Sequence, residues 1–261
     1  MLSSQILIDQ CHGEEIGSFP ENLFRKKDFF INFTSKNDFL DDFEFLKKQR
    51  LIIIGNPRPR SRSEILFHPS ELEHLKRYVY QGGNILLTSS YTGDCNFPKN
   101  RGSINVLNQL TGIKKIPYCL LFHTNENYYQ KSKRALIIPI TSQRTHPVFS
   151  FFNPGDHIII GEDGASYLIP YSSKGIEKEG PIDSHPLLYS PPATIKRDLI
   201  SKTNQKIGSV PLLNLNRFGK GKVITSSFSQ FLKEDGWGGY GEESGEKLLR
   251  GIIDFLIPKV A

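Results

Sequence analysis

The sequence has few cysteines and no long apolar run, and these absences exclude several classes of protein. The three cysteines, Cys11, Cys95 and Cys119, are odd in number and far apart, which argues against a disulfide framework and for a reducing compartment. No apolar stretch approaches the roughly 20 residues that span a bilayer. The N-terminus shows no basic segment followed by an apolar one. We therefore expect a cytoplasmic protein without a signal peptide or a membrane span.

The chain also lacks the motifs of nucleic-acid-binding proteins, although its net charge is +6. The basic residues are scattered, and the tightest cluster is formed by Arg58, Arg60 and Arg62. No zinc-finger spacing, aromatic RNP motif or basic helix accompanies this cluster. A solvated loop is the favoured interpretation, so nucleic acid is not an expected partner.

What the sequence does contain is an alternation of apolar strands and amphipathic helices. Residues 5–9, 51–54 and 84–88 are short apolar runs of strand length, and residues 29–33 are a weaker candidate. Residues 40–48 have apolar side chains at helical spacing. Strands that are apolar throughout, in this β-α-β-α-β order, predict a parallel sheet with helices on both faces. The chain is long enough for a large core, and we expect one domain over residues 1–261.

A helix followed by the third of these strands is the best-marked unit of the chain. Pro69 suits the first helical turn, Ser70 and Glu73 have the spacing of a capping box, and a glycine pair ends the helix. The strand over residues 84–88 then leads into a polar turn that begins at Ser89. In open α/β sheets, ligands and catalytic groups lie at this carboxyl end of the strands. The turn is therefore the first place to look for a site.

The middle of the chain is less regular than either end. From about residue 114 to 209, strand-like runs alternate with connections rich in proline, serine and glycine, notably over residues 171–192. We interpret this part as an irregular β-rich insertion. Regularity returns with a hairpin pattern over residues 211–226 and an amphipathic helix over residues 246–256.

Several of these segments resemble the class I glutamine-amidotransferase-like superfamily. The segments that carry the likeness are Leu-Ile-Ile-Ile-Gly-Asn-Pro at 51–57, the helix at 71–78, Gln-Gly-Gly-Asn-Ile-Leu at 81–86, Thr-Gly-Ile at 111–113, Thr-His-Pro at 145–147 and Gly-Lys-Gly-Lys-Val-Ile at 219–224. Within the superfamily, the sequence is similar to a domain shared by a subunit of the intraflagellar-transport complex B and gliding-motility auxiliary proteins. The resemblance covers about residues 1–150 and 205–257. It implies a flavodoxin-like three-layer α/β sandwich with a mostly parallel sheet.

The turn after the third strand departs from the enzymes of this superfamily. Catalytic members carry a cysteine in a Gly-x-Cys-x-Gly elbow, where a tight turn exposes the thiol and backbone N–H groups hold the oxyanion. The matching place here is Leu87-Thr88-Ser89-Ser90-Tyr91, without a cysteine or flanking glycines. The Gly-x-Ser-x-Gly spacing of a serine elbow is missing too, as is a late His-x-Glu dyad. We therefore expect no catalytic residues of the amidotransferase type and no cofactor.

Cys11, His12 and Glu14 follow the first strand and should lie near the same sheet edge as Cys95. Cys11, His12 and Cys95 could form a metal site or a thiolate–imidazole pair. The alternative is that Cys11 is a small core residue and His12 a polar turn residue. Because no CxxC or HxxxH spacing is present, the structural interpretation is favoured and no metal is predicted.

The polar turn after the third strand is a second candidate. The hydroxyls of Ser89, Ser90 and Tyr91 and the carboxylate of Asp94 could bind a small polar ligand such as a sugar. They could equally satisfy the backbone of the turn and cap the next helix. The predicted ligand or partner crevice consists of Cys11, His12, Glu14, Asn56, Arg58, Ser89, Ser90, Tyr91 and Asp94.

A glycine-rich loop late in the chain carries two large amphipathic rings, Trp237 and Tyr240. Such rings are effective anchors at protein interfaces and platforms for sugars. The same rings could instead fold back onto the core. With Arg60 and Arg62, they make up the predicted protein interface.

Two functions are consistent with these patterns. The first is a non-catalytic amidotransferase-like domain that acts as a protein-binding or scaffold module. The second is a hydrolase, or a carbohydrate-acting enzyme or binder of the trehalose-utilisation-like type, which would use Ser89 or Ser90 with His12 and Glu14. A serine hydroxyl within about 3 Å of a histidine nitrogen and facing a pocket would favour the enzyme. A serine bonded only within its own turn would favour the scaffold.

Overall fold

The structure is a computed structural model of the whole chain. It describes residues 4–13, 29–34, 40–57, 67–89, 110–115, 119–131, 134–141, 145–161, 167–170, 183–234 and 242–258. Every structural statement below concerns these residues.

A seven-stranded sheet forms the centre of the molecule. Its strands, in chain order, are β1 (Ser4–Ile8), β2 (Phe29–Phe33), β3 (Leu51–Gly55), β4 (Asn84–Thr88), β11 (Asp183–Tyr189), β14 (Pro211–Phe218) and β15 (Gly221–Ser226). Their order across the sheet is β11-β14-β15-β4-β3-β1-β2. The five strands from β15 to β2 are parallel, while β14 and β11 are antiparallel to their neighbours. The predicted mostly parallel sheet is confirmed.

Helices cover both faces of this sheet. They are α1 (Phe43–Leu46), α2 (Pro69–Tyr80) and α3 (Glu243–Leu256), with 3-10 turns at Pro147–Phe149 and Gln230–Leu232. Successive residues of a strand point to opposite faces. Ile6 and Ile8 accordingly belong to the core cluster that includes apolar side chains of α3, and Leu7 belongs to the one that includes those of α2. This arrangement explains why β1, β3 and β4 carry apolar residues on both faces, and it gives the predicted three-layer sandwich.

The part of the chain between β4 and β14 forms three small antiparallel sheets. Their strands are β5 (Ile113–Lys115), β6 (Cys119–Phe122), β7 (Tyr129–Gln130), β8 (Ala135–Pro139), β9 (His157–Gly161), β10 (Leu168–Pro170), β12 (Ile195–Asp198) and β13 (Asn204–Lys206). The interpretation of residues 171–192 as a connection is wrong for β11, which joins the central sheet. As an edge strand with a proline and mostly exposed side chains, β11 lacks the apolar run that marked the other strands.

The beginning of α2 differs from the predicted capping box. Its N-cap is His68, two residues before the predicted Ser70, and the carboxylate of Glu71 at the third helical position accepts a hydrogen bond from the His68 backbone N–H at 2.7 Å. Ser70 Oγ lies 2.8 Å from His68 Nδ1 instead. Proline at the first helical position set this boundary, because its missing N–H is not needed there. The correction places Glu71 at the start of the helix, where it faces the site described next.

Candidate functional site

The carboxyl edge of the parallel strands ends in buried polar side chains. Asp9 follows β1, Asn56 follows β3, Thr88 ends β4 and Ser226 ends β15, and each is at most 1% exposed. β1 lies between β2 and β3 in the sheet. The chain therefore runs from β1 outward to β2 and then crosses to the other side of β1 to form β3. That reversal is the position where open α/β sheets place their ligands. The edge is therefore the candidate site.

A cluster of four buried polar side chains lies beside the end of β1. His12 donates through Nδ1 to Asp9 Oδ2 at 2.6 Å and through Nε2 to Glu71 Oε1 at 3.1 Å. The Cys11 thiol donates to Asp9 Oδ1 at 2.9 Å, and Sγ also lies 3.2 Å from His12 Nδ1. The residues Asp9, Cys11, His12 and Glu71 are called the His12 cluster below.

Neighbouring elements fix the position of the His12 cluster. Thr34, directly after β2, donates its hydroxyl to Asp9 Oδ1 at 3.0 Å. The ring of Phe67 stacks on the His12 imidazole with centroids 3.9 Å apart. Glu71 also accepts the backbone N–H of Leu40 at 2.8 Å. The cluster therefore joins the ends of β1 and β2 to the start of α2 and to the segment before α1.

The charges of the cluster favour a protonated imidazole. Burial acts to lower the pKa of His12, but hydrogen bonds with Asp9, Cys11 and Glu71 act more strongly and raise it from 6.5 to about 12. Burial acts to raise the pKa of Glu71, whereas the hydrogen bond and charge of His12 lower it overall. At neutral pH, His12 is thus an imidazolium held between two carboxylates.

Cys11 is held as a thiol rather than a thiolate. Burial raises its pKa, the hydrogen bond from His12 opposes this, and the Asp9 charge raises it again, to about 11. A nucleophilic cysteine requires the opposite shift, since the thiolate is the reactive form. The predicted alternative of a thiolate–imidazole pair is therefore not the state that this geometry favours, and Cys95 lies outside the described residues.

Asp9, Cys11 and His12 are also the described residues that could hold a metal ion together, with ligand atoms within 4.8 Å of one another. An oxygen, a sulfur and a ring nitrogen are ligands that zinc accepts. In the structure, however, the thiol and the Nδ1–H both donate to Asp9. A cation would have to displace both protons, so we propose no metal here.

The turn after β4 has its serine directed into the sheet. Ser89 is fully buried, its N–H donates to the Ser226 carbonyl at 3.1 Å, and its hydroxyl donates to the same oxygen at 3.3 Å. These are the hydrogen bonds that Ser89 makes within the described part of the chain. Ser89 and His12 are predicted to share a crevice. In the described contacts, Ser89 bonds to Ser226, whereas His12 bonds to Asp9 and Glu71.

The structure describes only some of the predicted site residues. Asn56 continues β3, donating its N–H to the Thr88 carbonyl at 3.0 Å, and adopts a left-handed φ of 49°, which asparagine tolerates better than most residues. The predicted site and interface residues outside the described part are Glu14, Arg58, Arg60, Arg62, Ser90, Tyr91, Asp94, Trp237 and Tyr240.

Three residues that hold His12 or its partners in place, Asp9, Thr34 and Glu71, are not among the site residues predicted from the sequence. The sequence places Asp9 at the end of an apolar strand, and the signal that it offers is a carboxylate three residues before His12. Glu71 belongs to the helix that carries the family likeness, but its position in the sequence indicates no site role. No sequence pattern connects Thr34 or Glu71 to His12, because the contacts arise only when the sheet and α2 pack.

The strand order, the three layers and the position of the site define the class of fold. The chain has the flavodoxin-like fold of the class I glutamine-amidotransferase-like superfamily. The predicted resemblance is therefore confirmed at the level of the fold. No protein-family model matches the chain, and the curated proteins give no match.

Three solved structures show this likeness. The mmIFT52 N-terminal domain superposes with a TM-score of 0.64 at 16% identity, covering 98% of this chain and 99% of that one. A putative ThuA-like protein from Bacteroides uniformis gives 0.58 at 16% identity, covering 99% and 92%. PurLQS from Thermotoga maritima gives 0.50 at 15% identity, covering 98% and 100%.

Within the described residues, no helix is long and apolar enough to cross a membrane.

Proposed function

We propose that this protein is a non-catalytic amidotransferase-like domain that binds protein partners as a scaffold module. The observation that carries the proposal is the hydrogen bond from the Ser89 hydroxyl to the Ser226 carbonyl. A nucleophile needs an exposed hydroxyl or thiol next to a base. Within the described part of the chain Ser89 does not meet this requirement, because it is fully buried and its hydroxyl donates to the carbonyl of Ser226 on the neighbouring strand.

The His12 cluster supports the same proposal. A general base must have a free lone pair, whereas both ring nitrogens of His12 face carboxylates and the imidazole is protonated. Cys11 retains its proton because its pKa is raised. The cluster holds the strand ends and α2 together, which is a stabilising role rather than a chemical one.

The likeness to the IFT52 N-terminal domain makes a protein partner a reasonable expectation. The loops predicted to contact it, with Arg60, Arg62, Trp237 and Tyr240, remain candidates because they lie outside the described residues. A cytoplasmic location likewise remains a prediction from cysteine usage.

A carbohydrate-acting or carbohydrate-binding protein is the second candidate. The ThuA-like neighbour and the polar residues at the sheet edge favour it over other enzymes. It would use the turn from Ser89 to Asp94, of which the structure describes only Ser89.

Chemical crosslinking in the source cell, followed by purification of the tagged chain, tests the scaffold proposal. We expect one or more proteins to be crosslinked at a fixed ratio to the chain and to remain bound without crosslinker. Recovery of the chain alone, together with specific binding of trehalose or glucose by calorimetry, would contradict the scaffold proposal and support the second candidate.

A further inference from the structure

A basic cleft lies at the opposite, amino-terminal edge of the parallel strands. Its cavity of about 650 Å³ is bordered by the beginning of β4 and by the ends of α1 and α2. Five cationic residues line it: Lys47, Lys48, Arg50, Lys220 and Lys222. The other described residues of the lining are neutral, and none of them is an aspartate or a glutamate.

Part of this positive charge is not neutralised within the described part of the chain. Lys47 pairs with Glu44, but Lys48 and Lys220 are exposed and make no ion pair within the described part of the chain. Lys222 is half-buried, with Nζ 4.6 Å from the ring centroid of Phe255. Burial lowers the pKa of Lys222, and the charge of Arg217 lowers it further. An anion in the cleft would stabilise this cation.

We infer that the basic cleft binds an acidic segment of a partner protein. The inference rests on the proposed binding function and names the chemistry of one contact surface. Lysines are separate point charges on flexible stems, so carboxylates spaced along an extended segment can each meet one of them.

A compact phosphate fits this cleft less well. Many compact phosphate sites use free backbone N–H groups at helix N-termini or glycine-rich turns. Here Gly82 and Gly83 donate their N–H groups to the carbonyls of Val79 and Tyr78 at 3.0 and 2.9 Å. The helices α1 and α2 both present their C-terminal ends to the cleft, so the described part of the cleft offers no helix N-terminus to a phosphate.

A nucleic acid also fits less well, because the described lining of the cleft offers no exposed ring on which bases could stack. The aromatic residue among its lining is Tyr78, which is only 2% exposed and donates its hydroxyl to the Gln49 carbonyl at 3.2 Å. Proteins that bind single strands combine basic grooves with exposed rings.

Fluorescence anisotropy with a labelled peptide of alternating glutamate and glycine tests the inference on the full chain. The variant is K48E/K220E, which changes exposed side chains and leaves half-buried Lys222 in place. The control is K202E/K206E, which makes the same charge change on exposed lysines of another surface. We expect the cleft variant to weaken peptide binding about tenfold while the control retains most of it.

Three results would overturn the inference. These are equal weakening by both variants, absence of measurable binding to the wild-type chain, and stronger binding of inorganic phosphate or an oligonucleotide than of the peptide at the same site. Repeating the crosslinking experiment with K48E/K220E separates this inference from the proposed function. A partner captured equally by the wild-type chain and the variant would contradict binding at the cleft but not the scaffold function. Failure to capture a partner with either chain would contradict the scaffold function itself.

Discussion

His12 and Glu71 are 59 residues apart in the chain, yet His12 Nε2 lies 3.1 Å from Glu71 Oε1 in an almost fully buried ion pair. The pair connects the turn after β1 to the first turn of α2. Breaking this pair removes a buried charge-assisted hydrogen bond, although Asp9 still faces the imidazolium. The pair is therefore a sensitive point for testing the structure.

Glu71→Gln should lower the free energy of unfolding by about 2 kcal/mol, because the neutral amide weakens the charge-assisted hydrogen bond from His12 and offers one accepting oxygen in place of two. Urea denaturation followed by circular dichroism measures this change. Glu73→Gln, an exposed change on the same helix, is the control and should shift stability by less than about 0.5 kcal/mol. Equal effects of the two variants would contradict the buried pair.

The protonation of His12 should make stability depend on pH. Its folded pKa of about 12 lies above its ordinary value of 6.5. The stabilisation is therefore complete below pH 6.5 and is lost as the pH rises towards the folded pKa, at up to about 1.4 kcal/mol per pH unit. Nitrogen-15 NMR of the histidine rings should show His12 still doubly protonated at about pH 9. Titration of that ring near its ordinary pKa would contradict this account.

Cys11 should react slowly with alkylating agents. Because its pKa is raised from 9.0 to about 11, its thiolate fraction near neutral pH should be about 100-fold smaller than that of an unperturbed thiol. Iodoacetamide labelling, followed by peptide mass spectrometry, should show at least this ratio between unfolded and native protein. A native rate as high as the unfolded rate would show that the thiol is activated.

Ser89→Ala should affect stability but not partner binding. The change removes one buried hydrogen bond to the Ser226 carbonyl, and we expect a loss of about 1 kcal/mol. Thermal denaturation and the crosslinking yield measure the two effects. Ser201→Ala, an exposed serine, serves as the control for stability. A lost binding activity with unchanged stability would indicate that Ser89 contacts a ligand.

The central sheet could be predicted from the sequence because β1, β3 and β4 are apolar on both faces. This pattern is typical of parallel strands that have helices packed on both faces of the sheet. The sequence was insufficient for β11, whose exposed edge position leaves no such pattern. Cys11 and His12 were located by their place after β1, since strand ends meet at one edge. Their actual partners could not be inferred, because Glu71 reaches His12 only through the packing of α2 on the sheet.

Reaction with mechanism-based electrophiles tests the central claim most directly. The purified chain is incubated with a fluorophosphonate and, separately, with a diazo-ketone analogue of glutamine, with an active glutamine amidotransferase as the positive control for the second reagent. Intact-mass spectrometry should show the chain unmodified by either reagent, because Ser89 is bonded within the sheet and Cys11 is held as a thiol. A stoichiometric adduct on Ser89, Cys11 or another side chain of this edge would contradict the account.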